Sequence, residues 1–376
     1  MRTRLPLLLA LVTGVLLAAP GAGQGADGAV SARAPAPPPG LQAAALVQRL
    51  TPARVATATI PDLSDVGLLV LGTLPGTSLD RATRDLVVRR HLGGVVLFGF
   101  NISSGPQVRG LDAALHRAAG RRGLLVTTDQ EGGTVRRVPG ARPPVSAAEA
   151  GRRGPAYVQA VMTSAGRDLH ALGVDVDLAP VADGGGGFLG TRSYGTAPAS
   201  SVVAAVRGLR AGGEGATAKH FPGLGGAPVS TDEAPVRGPV VRGPALAVFH
   251  EAARAGVALI MLDLAVHPGL GRLPSALSAP VYALLRGPKV GFRGVAVTDA
   301  LDARAATAVG SIPANAVRAV AAGADLVLAP GGPGVAARTI DALQAAVRHG
   351  QISPARLAQA LARVRALLAQ PAAAPR

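Results

Sequence analysis

Residues 216–234 read ATAKHFPGLGGAPVSTDEA, and they change character twice. A short apolar run ends on Lys219 and His220. A loop rich in proline and glycine follows over residues 221–226, and then come Asp232 and Glu233. Cationic side chains at the end of a buried strand offer donors to hydroxyl groups or a carboxylate. Glycines beside them let backbone come close to a ligand and take up positive φ. A packed loop with no ligand fits the same residues, so recurrence along the chain decides between the two readings.

The pattern does recur. Apolar strand-like runs lie at residues 66–72 (VGLLVLG), 93–98 (GGVVLF), 124–129 (LLVTTD), 174–180 (VDVDLAP), 216–220, 258–263 (ALIMLD), 294–299 (GVAVTD) and 325–329 (DLVLA). Helical patterns fall between and after them at 81–91, 106–119, 157–172, 201–211, 245–255, 314–322, 336–348 and 354–368. Short continuous apolar runs suit parallel strands covered on both faces. Eight such strands, each followed by a helix, predict an α/β fold of the (β/α)8 TIM-barrel type in a single domain at 61–372. A doubly wound open sheet is the alternative, but no GxGxxG follows the first run, and eight units are many for it. A barrel places its chemistry at strand C-terminal ends. There stand Asp129, Asp177, Lys219 with His220, Asp263 and Asp299. An aspartate in such a place can also serve only as a helix cap.

Composition narrows the function. The net charge of +16 suggests a phosphate-binding surface, but lysine occurs only at 219 and 289, and the arginines are scattered. Aromatic residues make up 2% of the chain, too few to interleave with the arginines as stacking platforms. Nucleic acid is not an expected partner. Arg2 and Arg4 precede an apolar run at residues 5–19 and small residues at 18–22, which reads as a secretory signal over 1–26. Residues 27–60 read as a Pro/Ala-rich tether and lead-in. With no cysteine there is no disulfide and no lipid attachment through a lipobox. A secreted protein without a stable membrane anchor is the expectation, and a monomer.

Seven stretches, in order, resemble glycoside hydrolase family 3, in the branch of bacterial β-N-acetylhexosaminidases. Asp129-Gln130-Glu131-Gly132-Gly133 with Val135 and Arg137 resembles its DQEGG-x-V-x-R signature. GGVVLFGFN at 93–101 is similar to its second strand and loop, and LAPVAD at 178–183 with Arg192-Ser193-Tyr194-Gly195 to its APV-x-D and RSFG. Lys219–Gly225 resembles KHFPGHG. Residues 274–278 and 285–294 resemble PA-x-LS and LR-x-x-x-GF-x-G, and Thr298-Asp299 with Leu301 stands where the family has SDDL. The resemblance implies a retaining glycosidase on a (β/α)8 barrel that uses no metal or other cofactor. It implies Asp299 as nucleophile, and Asp129, Arg137, Arg192, Lys219 and His220 as sugar-binding residues. Arg and Lys charges near Asp299 are expected to lower its pKa.

The chain departs from that pattern in its proton-transfer half. The branch carries a D-S-H triplet after KHFPGHG, with the His as acid/base. Here the loop reads Ser230-Thr231-Asp232-Glu233-Ala234, with Ala234 set against that His. Leu224, Asp263-Leu264 and Ala300 replace further family residues. Glu233 is the nearest replacement acid, with Asp232 beside it to raise its pKa. Three readings follow: an exported glycosidase acting on N-acetylglucosamine-type sugars, those of wall fragments among them, through a glycosyl-Asp299 intermediate; an impaired relative that binds sugar or wall fragments; and a solute-binding or structural barrel.

Overall fold

The computed structural model describes residues 62–369 apart from Ala197. The expected signal segment, the tether and both outermost ends of the 61–372 domain lie outside the described residues. Among the described residues ten strands form, in chain order: β1 (Val70–Gly72), β2 (Gly94–Leu97), β3 (Leu125–Thr128), β4 (Gln130–Gly132), β5 (Val135–Arg136), β6 (Val176–Asp177), β7 (Gly215–Phe221), β8 (Leu259–Leu262), β9 (Val295–Thr298) and β10 (Val327–Leu328). Eight of them pair in parallel in the order β10-β1-β2-β3-β6-β7-β8-β9. A parallel bridge between Val297 and Leu326 joins the last strand to the first. The Thr298 N–H reinforces the seam by donating to the Leu326 carbonyl at 3.2 Å. The ring is a (β/α)8 barrel with helices outside it.

The strands are shorter than their apolar runs, for local reasons. Asp62 accepts the Ser64 N–H at 2.9 Å and caps a 3-10 turn over Leu63–Leu69, so only Val70–Gly72 of the first run pairs. In the fourth run, Pro180 has no N–H to give a ladder, and the regular strand is only Val176–Asp177. The helices Gly105–Ala119, Pro155–His170 and Gly243–Arg254 begin up to two residues before their patterns, with proline in the first turn. Proline is tolerated there because its missing N–H would have no helical partner.

The short helices Ala147–Arg152, Ala279–Arg286 and Arg304–Thr307 have no counterpart in the sequence reading, and neither does one pair of strands. β4 and β5 form a small antiparallel hairpin that leaves the mouth of β3. Its turn needs glycine: Gly132 has φ 100° and Gly133 φ 58°, and a Cβ on Gly132 would lie 2.3 Å from the Val145 carbonyl. The hairpin folds back over the barrel's C-terminal end and carries Glu131 and, just beyond β5, Arg137.

Candidate active site

Two cavities open at opposite ends of the barrel. The larger, about 1060 Å³, is bordered by Leu124, Asp175, Glu214, Val257 and Gly294, at the N-terminal ends of the strands. The smaller encloses about 310 Å³ at the C-terminal ends, between Asp129, Lys219, His220 and Asp299. Parallel barrels do chemistry at the second kind of place. That volume also sits at the low end of the range for small-ligand sites, roughly 300–1,000 Å³. We take the smaller cavity as the site.

Its floor is an interlocked set of charges. The β7 backbone carries Lys219 into the cavity, where its Nζ lies 2.6 Å from Asp129 Oδ1 and 2.7 Å from Glu131 Oε1. Arg192, at the end of the 3-10 turn Gly187–Arg192, grips Glu131 with two N–H···O bonds of 2.8 Å each. Burial alone would push Glu131 up, but Lys219 and Arg192 hold its carboxyl down at about 2. Burial would likewise discharge Lys219, yet the Asp129 and Glu131 carboxylates keep its pKa above the ordinary lysine value. All three groups are therefore ionised at neutral pH and fixed in place. Arg137 lines the same cavity, and its buried Nε finds no protein acceptor. An unpaired buried guanidinium N–H is costly unless a ligand supplies an oxygen.

Two loops must approach closely to bring Arg192 in. The Phe188 N–H donates to the Ala227 carbonyl at 3.0 Å, and the Gly226 N–H to the Gly186 carbonyl at 3.4 Å. A Cβ on Gly187, at φ 67°, would sit 2.0 Å from the Ala227 carbonyl. The glycine run at 184–187 thus locks the Arg192 turn to the loop after β7.

His220 faces Asp183: its Nδ1 is 2.7 Å from Oδ2, and its backbone N–H donates to the same oxygen at 3.1 Å. The other Asp183 oxygen accepts the Leu224 N–H at 2.6 Å. Burial lowers the imidazole pKa, but the Asp183 charge and hydrogen bond, with Asp299, raise it above the ordinary value. His220 is in this way held as a cation-leaning donor, oriented by Asp183. Asp299 closes β9, and its Oδ1 accepts the Ala300 N–H at 2.8 Å. Its pKa lies above the ordinary value, contrary to the expectation that Arg and Lys charges would lower it. Burial is the main cause, and the repulsion of Asp232 adds to it. His220 and the more weakly felt Lys219 work in the other direction. The arginine that was to help is committed to Glu131.

The sequence-level site residues thus divide. Asp129, Arg137, Arg192, Lys219, His220, Asp232 and Asp299 border one cavity; Glu233 is exposed and does not. Two strand-end aspartates stay outside it. Asp177 is fully buried, accepting the Gln130 N–H at 2.9 Å, and burial pushes its carboxyl up to about 8. Asp263 accepts the Ala265 N–H at 3.0 Å and faces His267 Nε2 at 2.8 Å, beneath the loop. Glu131, Asp183 and Asp302 had no role in the residue reading; Glu131 and Asp302 line the cavity, and Asp183 holds His220. The first two lay inside quoted motifs and differ from surface acids only in their partners. Asp302 lay three positions past Asp299, a spacing that returns to one wall of the cavity.

Residues 60–367 match the model of the glycosyl hydrolase family 3 N-terminal domain. A β-hexosaminidase of Alkalilimnicola ehrlichii is 35% identical over 309 residues, covering 76% of this chain and 84% of its own. The family 3 β-N-acetylglucosaminidase from Paenibacillus sp. str. FPU-7 superposes with a TM-score of 0.77 at 34% identity. That superposition takes in 81% of this chain, which spans about three fifths (61%) of the longer Paenibacillus one. The β-N-acetylhexosaminidase from Beutenbergia cavernae gives a TM-score of 0.75 at 31% identity, over 81% of this chain and 97% of that one. The barrel, the cation–carboxylate floor and these likenesses agree: the chain belongs to glycoside hydrolase family 3 and is a β-hexosaminidase-like glycosidase.

Proposed function

We propose that this chain is an exported, retaining β-N-acetylhexosaminidase that releases N-acetylglucosamine-type sugars through a covalent glycosyl-Asp299 intermediate. One observation carries the reading: Asp299 is a carboxylate at the cavity wall with no cation in hydrogen-bond contact. Asp129 and Glu131 are neutralised by Lys219 and Arg192, and the other two unpaired carboxylates, Asp232 and Asp302, are exposed on the loops, whereas Asp299 is partly buried at a strand end. A retaining glycosidase needs one such free carboxylate to attack the anomeric carbon, beside fixed groups that hold the sugar hydroxyls. Asp129, Arg137, Arg192, Lys219 and His220 are those fixed groups. The cavity has room for about one sugar ring, which favours removal of a terminal residue. Wall fragments are the substrates that suit an exported enzyme of this kind.

Hydrolysis of an aryl β-N-acetylglucosaminide beside the corresponding glucoside tests the substrate class. A slow 5-fluoro sugar should label Asp299, and mass spectrometry that placed the sugar on another residue would end the proposal. Asp299→Asn should lower kcat by several powers of ten, because a neutral amide cannot attack. N-terminal sequencing of the protein from culture supernatant tests cleavage near residue 26.

A second reading, binding without turnover, rests on the imidazoles. Among the described residues His220 alone lines the cavity, and its Nδ1 is already engaged by Asp183. Sugar binding by calorimetry with no hydrolysis of any aryl glycoside would favour it.

A further inference from the structure

We propose that Asp232 is the acid/base residue of this site and that Asp302 positions and tunes it. This rests on the glycosidase reading above. The loop after β7 presents Ser230, Thr231 and Asp232 to the cavity, whereas Glu233 and Ala234 point elsewhere. Asp302 reaches the same cavity from the segment that follows Asp299.

The two segments are tied together. The Ala305 N–H donates to the Thr231 carbonyl at 3.0 Å and the Arg304 N–H to the Asp232 carbonyl at 3.3 Å. Both donors begin the short helix Arg304–Thr307, a few residues past Asp299. Ser230 Oγ donates to Asp232 Oδ2 at 3.3 Å and accepts the Asp232 N–H at 3.2 Å. Asp232 is thereby held in register with the nucleophile although its side chain meets solvent.

Elimination leads to the same residue. Glu131 is held ionised by Lys219 and Arg192, and Asp129 is engaged by Lys219 Nζ at 2.6 Å. His220 is turned onto Asp183. Asp299 is reserved for attack. Besides Asp299, Asp232 and Asp302 are the cavity-lining carboxyls without a cation partner. Of these, Asp232 is the one whose charge is felt at Asp299. Asp302 is held above the ordinary range first by burial and then by the charge of Asp232. The charge of Asp232 thus reaches both Asp299 and Asp302 across the cavity they line. Facing the pair are Asp299 from β9, Lys219 and His220 from β7, Asp129 and Glu131 from the β3 end, and Arg137 and Arg192 from the loops.

The chemistry then runs in two balanced halves. Asp299 attacks the anomeric carbon, and the bond from that carbon to the leaving oxygen breaks. Its electron pair stays on the leaving oxygen, which takes the proton of Asp232. Water next attacks the anomeric carbon and gives a proton to the Asp232 carboxylate. The bond to Asp299 breaks, and both carboxyls return to their starting states. An exposed carboxyl at the mouth is well placed for this work, because the leaving alcohol departs towards solvent.

Kinetics on two substrates separate the possibilities. A dinitrophenyl N-acetylglucosaminide needs no proton for departure, while an N-acetylglucosamine disaccharide does. Asp232→Asn should lower kcat/KM for the disaccharide by about 10²- to 10⁴-fold, the usual worth of acid/base help, and for the dinitrophenyl glycoside by less than about tenfold. Added azide should then speed turnover of the dinitrophenyl glycoside and yield a β-glycosyl azide. Asp302→Asn should move the basic limb of the kcat/KM profile to lower pH without giving azide product, and Asp302→Glu should restore the limb. Glu233→Ala should behave as wild type. Equal losses on both substrates in Asp232→Asn, or azide product from Asp302→Asn instead, would overturn the assignment. An unmoved profile in Asp302→Asn would remove the positioning role. Wild-type protein that turns over neither substrate would overturn the glycosidase reading, and this assignment with it.

Discussion

Replacing Glu131 by glutamine removes one charge from the centre of the floor while keeping shape and an acceptor oxygen. The carboxyl is held at about 2 against an ordinary 4.5, although burial alone would raise it. At about 1.4 kcal/mol per pH unit, that gap amounts to about 3 kcal/mol at neutral pH. Loss of one partner from a buried ion pair costs about 3–5 kcal/mol in general, so the two routes agree. In a barrel of this size, about 3 kcal/mol corresponds to a fall in Tm of about 4–6 °C. The sign with pH is fixed by the depressed value. The stabilisation is complete above 4.5 and is lost as pH falls through about 2, so at pH 3.5 about 2 kcal/mol should remain. Thermal unfolding of Glu131→Gln and wild type at pH 7 and pH 3.5, followed by circular dichroism, measures both gaps. KM should also rise, because Arg192 loses its paired acceptors. A cost below 1 kcal/mol at pH 7, or an equal cost at both pH values, would refute the claim that ion pairing at Glu131 holds this floor together.

Three further outcomes are expected. Arg137→Ala should weaken binding of N-acetylglucosamine about 10- to 150-fold by calorimetry, since a charged hydrogen bond is worth about 1.5–3 kcal/mol; unchanged affinity would mean its orphan N–H is not a sugar donor. Asp177, raised to about 8, keeps its proton in the native state but loses it near 3.8 when unfolded. Stability should therefore fall by up to about 1.4 kcal/mol per pH unit between about 4 and 8, and denaturation of Asp177→Asn should show that slope gone. Gly187→Ala drives a methyl into the Ala227 carbonyl, so it should raise KM by displacing Arg192, with less effect on the Tm than Glu131→Gln. An unchanged KM would show that the loop lock is not needed.

By itself the sequence determined the barrel and the content of its mouth. A parallel strand buried on both faces must be a continuous apolar run, and a polar side chain at its end must leave at the C-terminal mouth. For Asp129, Lys219, His220 and Asp299 that reasoning depends on one strand each, so it survived without coordinates. The roles of charges depend on several segments at once. Asp263 ends its run just as Asp129 and Asp299 do, and Asp177 ends its strand, yet His267 and a hairpin N–H claim them below the surface. The expected effect of arginine on Asp299 failed for a similar reason: Arg192 is nearer to Glu131, sixty-one positions away along the chain, and burial outweighs what charge remains. Glu233 and Asp232 are adjacent and chemically alike in the sequence. Only the backbone bonds from Arg304 and Ala305 decide which of the two faces the cavity.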